Sequence, residues 1–215
     1  MPLIPLRRRP LLALAATSLA LTLAACGGGG GSSGDPVTPP PAPVTLTVTH
    51  KVRITTSQGV IELGLDRTHA PITVDNFLKY VNDGFYNGTI FHRVIGNFVI
   101  QGGGVVRDAA GTALVEKTPT YAAIALESQN GLANVRGTLA MARAAVANSA
   151  TSQFYVNVVD NPSLNYQNPA NPGYAVFGQV TAGMDVVDKI RAVATNAADV
   201  PLVDITITDA KVMAL

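Results

Sequence analysis

The 215-residue chain carries 15 lysines and arginines against 14 aspartates and glutamates. Three of the basic residues, Arg7 to Arg9, fall in a segment expected to be cleaved, which leaves 12 against 14, near −2, and no electrostatic footprint for nucleic acid. A single cysteine, Cys26, excludes an internal disulfide framework and a metal site built on cysteines.

Residues 1–25 read as a signal peptide: the basic cluster, an apolar run over 11–23, then small residues. The run is too short to cross a bilayer comfortably. Cys26 follows Leu23-Ala24-Ala25, and this arrangement resembles the lipobox of bacterial lipoproteins, whose cysteine is acylated and becomes the new N-terminus. The plainer alternative is an ordinary cleaved signal with an incidental cysteine. The resemblance implies a lipid anchor at Cys26 in the cell envelope, facing the periplasm. Gly27, rather than aspartate, after the cysteine points to the outer membrane. Residues 26–43, with Gly27 to Gly31 and a Pro-rich stretch over 36–43, read as a spacer. The glycines do not run into Gly-Lys-Ser/Thr, so they are no phosphate loop. Residues 44–215 suffice for one domain with a sizeable core.

In that domain Val44, Leu46, Val48, Val52 and Ile54 alternate with polar residues. A turn over 56–59 then leads to Ile61, Leu63 and Leu65, which predicts a hairpin. Pro71 opens a helix whose Val74, Phe77, Leu78 and Val81 share one face, with Gly84 as the stop. Short β-rich segments follow at 89–95, 98–101, 138–141, 154–158 and 176–180. A second helix fits 184–193, through Met184, Val187 and Ile190, and a last strand fits 203–208. Many short strands with two helices predict a mainly β, closed antiparallel barrel rather than a layered α/β fold. The pattern alone leaves barrel against sandwich open.

Five blocks stand out. From Phe91 the chain reads Phe-His-Arg-Val-Ile-Gly-Asn-Phe-Val-Ile-Gln-Gly-Gly-Gly. Asn130-Gly131-Leu132, Arg136 through Arg143, Ser152-Gln153-Phe154-Tyr155 and Tyr174-Ala175-Val176-Phe177-Gly178 follow. In this order and at these spacings they resemble the cyclophilins, most of all the bacterial periplasmic branch, over about residues 52–212. The resemblance implies a closed eight-stranded antiparallel barrel capped by two α-helices. It also implies peptidyl-prolyl cis–trans isomerase activity on proline-containing polypeptides of the cell envelope, assisting their folding, without cofactor or metal. A monomer is expected.

Carried over residue by residue, Arg93 matches the family's catalytic arginine, and Phe98, Val99, Tyr155 and Leu164 match the lining of its proline pocket. Gln101 matches the glutamine that orients the arginine, and Gln153 lies beside the pocket. Ala142 and Arg143 match the segment whose backbone holds the substrate chain. The chain departs from the common pattern at Val99 (often methionine), Tyr155 (often phenylalanine) and Arg143 (often asparagine). Ser163 and Tyr174 stand where many eukaryotic members have tryptophan and histidine.

Taken singly these residues have blander readings. Arg93 would be a solvated strand arginine, Phe98, Val99 and Tyr155 barrel core, and Gln101 the end of a strand. Phe154 is expected in the core. His92, the tempting acid or base, should face away from its neighbour Arg93 on a strand and reads as structural. His50, His69 and His92 do not have metal-ligand spacing, and no Gly-x-Ser-x-Gly nucleophile elbow occurs within residues 44–215. A tethered proline-binding module or chaperone would use the same pocket, and Arg93 is what separates it from an enzyme.

Overall fold

The computed structural model describes residues 44–215; the expected signal peptide, Cys26 and the spacer lie outside the described residues. Alternation builds the first hairpin. Val52 and Ile54 of β1 (His50–Thr56) pair with Leu63 and Ile61 of β2 (Gly59–Leu65), and all four are buried, as expected for one face of a pleated pair. Residues 44–49 are not strand, contrary to the alternation. The Asp66 carboxylate takes the Thr47 N–H at 2.8 Å, and Leu46 packs on a second apolar cluster away from the main core.

Helix α1 (Pro71–Asn82) starts with proline and has no side-chain cap of its own. Glu127 supplies one from 54 residues downstream: its carboxylate accepts the N–H groups of Ile72 and Thr73 and the Thr73 hydroxyl, at 3.1, 2.8 and 2.7 Å. An anion there satisfies orphan donors and complements the helix dipole. The buried face carries Val74, Phe77 and Val81, and Phe77 meets Tyr86, Phe154 and Phe177 at 5.2, 5.5 and 5.2 Å between ring centroids.

The remaining elements are β3 (Arg93–Val94), β4 (Val99–Gly102), β5 (Val105–Arg107), β6 (Leu114–Glu116), β7 (Thr138–Met141), β8 (Phe154–Asn157), a 3-10 turn (Pro162–Leu164), β9 (Val176–Ala182), α2 (Met184–Arg191) and β10 (Ile207–Met213). Eight strands form one antiparallel sheet in the order β10-β1-β2-β9-β7-β8-β4-β3, and β5 and β6 pair separately. Helix α2 ends two residues before the expected 193 and buries Val186, Val187 and Ile190.

The barrel expected as closed is a curled sheet whose edge strands share no ladder. The two-residue edge strand β3 pairs with β4 alone. The seam is held by a single bridge, Ile90 with Thr206, and by hydrogen bonds such as Phe91 N–H to Ile205 O and Gly88 N–H to Ile207 O, at 2.9 and 2.8 Å. The strand expected over 203–208 begins at Ile207 instead. Arg107 grips Asp204 with two bonds of 2.7 and 2.8 Å, and Val203 is 75% exposed.

The period of two then splits β4, β7 and β8 between two jobs. Ile100, Leu139, Phe154 and Val156 enter the main core with residues of both helices. Val99, Ala140 and Tyr155 face the other way, joined by Leu132 and Val176.

Candidate active site

The second cluster floors a cavity. Strand register places Arg93 opposite Gln101, Gln101 opposite Tyr155, and Tyr155 opposite Ala140, so these four share one face across β3, β4, β8 and β7. Val99 lies two residues from Gln101, on the same face. Phe98 precedes β4, its N–H bonded to Ile95 O at 2.9 Å. Leu164 comes from the 3-10 turn, and its carbonyl takes the Tyr174 N–H at 2.9 Å. The cavity is about 160 Å³, well below the ~300–1,000 Å³ of sites for drug-sized ligands, so it suits one small side chain or ring.

Arg93, Phe98, Val99, Gln101 and Tyr155 line it, together with Ala142, Arg143, Leu164 and Tyr174. Gln153 is the one expected site residue that does not; it lines an adjoining cavity with Glu116, Ser149 and Thr151. It reaches the first cavity through Gln101, whose Nε2 donates to Gln153 Oε1 at 2.9 Å. The glycines after Gln101 make room for this. Gly103 has φ +82° beside Phe154, and a Cβ on Gly104 would stand 2.3 Å from Gln153 Cγ, so a side chain at either position collides.

Arg93 is 43% exposed in its side chain, with its Nε 3.9 Å from Asp199 Oδ2. Among the described residues its guanidinium makes no hydrogen bond, with Gln101 or any other group. Asp199 holds a left-handed backbone at φ 61°, and its carbonyl accepts the Val94 N–H at 2.8 Å; nothing in the sequence pattern marks it.

Arg143 acts as a brace. Its Nε donates to Gly173 O at 2.9 Å and its Nη1 to Ala144 O at 2.9 Å, while the guanidinium lies 4.7 Å over the Tyr174 ring. The Ala142 N–H already donates to Gln153 O at 2.9 Å. Burial pushes the Tyr155 hydroxyl far above its ordinary value, as does the neighbouring Tyr174, against an opposing pull from Arg143. The hydroxyl is therefore a donor at physiological pH, and it bonds Asn134 Oδ1 at 2.8 Å. His92 is absent from the cavity lining. Burial pushes its imidazole down, outweighing the Ile90 carbonyl and Glu116. Among the described residues no three His, Cys, Asp or Glu side chains converge as a metal site.

Asn134 and Glu116, the latter lining the adjoining cavity, carry no mark in the sequence, whereas Leu132 and Val176 fall in the resembling blocks without an assigned role. Asp108 with Gly111 was a usable signal for the turn that carries β6: Asp108 Oδ1 accepts the Thr112 and Ala113 N–H groups at 2.7 and 3.0 Å.

The family described as cyclophilin type peptidyl-prolyl cis-trans isomerase/CLD matches residues 51–212. Peptidyl-prolyl cis-trans isomerase A of Dickeya dadantii is 48% identical over 171 residues, 78% of this chain and 86% of its own. The Acinetobacter baylyi isomerase is 55% identical over 145 residues, 67% and 73% of the two chains. Peptidyl-prolyl cis-trans isomerase B of Escherichia coli is 48% identical over 158 residues, 71% and 93%. A solved Cryptosporidium parvum cyclophilin type isomerase, determined in the presence of the dipeptide ala-pro, aligns with a TM-score of 0.65 at 29% identity, covering 77% of this chain and 99% of that one. With the family match running from β1 to β10, the chain belongs to the cyclophilin-type peptidyl-prolyl cis–trans isomerases and is an enzyme of that class.

Proposed function

We propose that the chain isomerises Xaa-Pro bonds of exported polypeptides by holding the proline ring in this cavity while Arg93 stabilises the twisted amide. The observation that carries this reading is a half-exposed arginine side chain whose guanidinium makes no protein hydrogen bond among the described residues, lining a cavity the size of a small ring together with Phe98, Val99, Tyr155 and Leu164.

The chemistry needs few groups. Amide resonance sets a barrier of about 18–20 kcal/mol, and uncatalysed exchange takes roughly tens to hundreds of seconds. No covalent bond breaks, so the enzyme has only to bind the twisted amide better than either planar form. Twisting localises a lone pair on the proline nitrogen. A fixed, always-charged fork aimed at that nitrogen, or at the adjacent carbonyl, favours the twisted state, and lysine does not present such a fork. Phe98, Val99, Tyr155 and Leu164 exclude water and so strengthen the contact. The reaction as proposed uses no cofactor.

Clients are then proline-containing chains in the cell envelope, reached by a domain anchored through Cys26 and facing the periplasm. Exchange spectroscopy on an Ala-Pro peptide tests the mechanism. Arg93→Ala is expected to lose about 10²–10³ in rate, the usual loss for one preorganised donor, with an unchanged melting temperature. Full activity in that variant overturns the role of Arg93. A variant that still binds the peptide but no longer turns it over separates catalysis from a pure binding module.

A further inference from the structure

Tyr155 faces two environments. Its ring, 4% exposed, lines the cavity and meets Tyr174 edge-on at 5.8 Å. Its hydroxyl enters a buried row of side-chain amides, starting with Asn134 Oδ1. That oxygen also accepts from Asn157 Nδ2 at 3.1 Å. The Asn134 backbone N–H and Nδ2 both converge on Asn165 Oδ1, at 2.7 and 3.0 Å. The Asn134 carbonyl accepts the Asn161 N–H at 2.8 Å. Asn161 Nδ2 is shared between Asn157 Oδ1 and the Phe98 carbonyl, at 2.7 and 2.9 Å.

These bonds join three stretches of chain: β8, the segment before β7, and the strap 161–165 that carries Leu164. Leu164 holds the Tyr174 N–H in turn. The row therefore starts at the cavity floor and ends on its walls, at Phe98 on one side and at Leu164 and Tyr174 on the other. A phenylalanine at position 155 would keep the ring and its packing. It would leave Asn134 Oδ1 with Asn157 alone, which satisfies the oxygen and keeps the Asn157–Asn161 bond between β8 and the strap, but removes the one bond that ties the cavity-lining ring itself into the row. Buried networks are rigid when fully connected and lose definition when a member is missing.

We propose that Tyr155 is a positioning residue for the isomerase reaction, its hydroxyl fixing the Leu164 wall through Asn134 and so setting the grip on the proline ring. The proposal rests on the reading of this cavity as the proline site. A looser wall weakens binding of planar and twisted forms alike, so the loss falls on KM more than on kcat.

The test is an exchange titration with an Ala-Pro peptide on Tyr155→Phe, Asn165→Ala, the double variant and Arg93→Ala. Tyr155→Phe is expected to raise KM by about three- to tenfold, what one buried hydrogen bond is worth, with a smaller change in kcat. Asn165→Ala, which cuts the same row from the strap side, should do the same. The double variant should be no worse than the more affected single, because both remove one relay. Arg93→Ala should lower kcat and leave KM near wild type. If Arg93→Ala behaves so while Tyr155→Phe keeps KM within twofold, or shows only a lowered melting temperature, the relay is overturned and the proline site stands. If Arg93→Ala keeps full activity and Tyr155→Phe keeps its KM, the proline binds elsewhere and both readings fall. Multiplicative effects in the double variant also overturn the relay. Should Tyr155→Phe not fold, Asn165→Ala at the half-buried end of the row decides the matter by the same KM criterion.

Discussion

Ser163 and Leu164 share one 3-10 turn, yet Leu164 lines the cavity and Ser163 is exposed beside it. In the eukaryotic cyclophilins that the sequence resembles, a tryptophan at the Ser163 position donates a hydrogen bond to the macrocycle cyclosporin and packs on it. Serine lacks nearly all of that apolar area. Losing ~50–80 Å² of contact costs roughly 1–2 kcal/mol, and a lost hydrogen bond adds about 0.5–1.5 kcal/mol, so binding should weaken by roughly ten- to several-hundredfold. The enzyme is expected to be active and poorly inhibited, with Ser163→Trp restoring part of the sensitivity in a titrated exchange assay. Tight inhibition of the wild type would show that other contacts dominate. The contrast between neighbours also shows what the sequence could reveal at this scale. The family resemblance assigns Tyr155 to the cavity while Phe154 is expected in the core, and the alternation of strand faces is the physical reason they part. Asn134, Asn161 and Asn165 lie outside the strands and obey no such period; a loop residue's partners depend on where distant segments meet.

Two carboxylates hold the ends of elements, one arriving from far along the chain and one local. Glu127 caps α1 across 54 residues, and no local pattern could announce it. Asp66, wholly buried, accepts the N–H groups of Thr47, Thr68 and His69 at 2.8, 3.0 and 3.1 Å, and its Oδ2 lies 2.6 Å from the His69 ring. Burial by itself would raise this carboxyl, but the bonds from Thr47 and His69 outweigh it, and Asp66 sits below the ordinary aspartate range. A depressed folded-state value means stability fully present above the unfolded pKa of about 3.9 and lost as pH falls through the folded one. Urea midpoints should thus hold steady from about pH 7 to pH 5 and drop below about pH 4. Asp66→Asn should lower stability at neutral pH by about 1.5–3 kcal/mol, the range for bonds to a charged group, and flatten the acid limb. An unchanged acid limb in that variant would assign it to other carboxylates. Exposed pairs such as Arg67 with Asp75 are weak candidates, since pairs of that kind contribute about 0–1 kcal/mol.

At the scale of the whole molecule the proposed lipid anchor makes a prediction of its own. If the proposed signal peptide is cleaved, 12 basic residues face 14 acidic ones, a balance that does not point to a basic juxtamembrane cluster, in which each basic residue contributes about 1 kcal/mol. Among the described residues no helix is long and apolar enough to cross a membrane. The proposed attachment is through Cys26, which lies outside the described residues and is proposed on its Leu-Ala-Ala-Cys setting. A single acyl chain binds membranes only marginally. Lipoprotein processing would add several, enough to resist dilution and salt. Fractionation of cells expressing wild type and Cys26→Ser checks this. The wild type should sediment with membranes, resist high salt and come off in detergent, whereas Cys26→Ser should be soluble and equally active on a free peptide, because the site lies wholly within residues 93–174. A wild type found in the soluble fraction overturns the anchor and leaves the isomerase intact. Membranes that still retain Cys26→Ser would mean that another part of the chain holds the domain there.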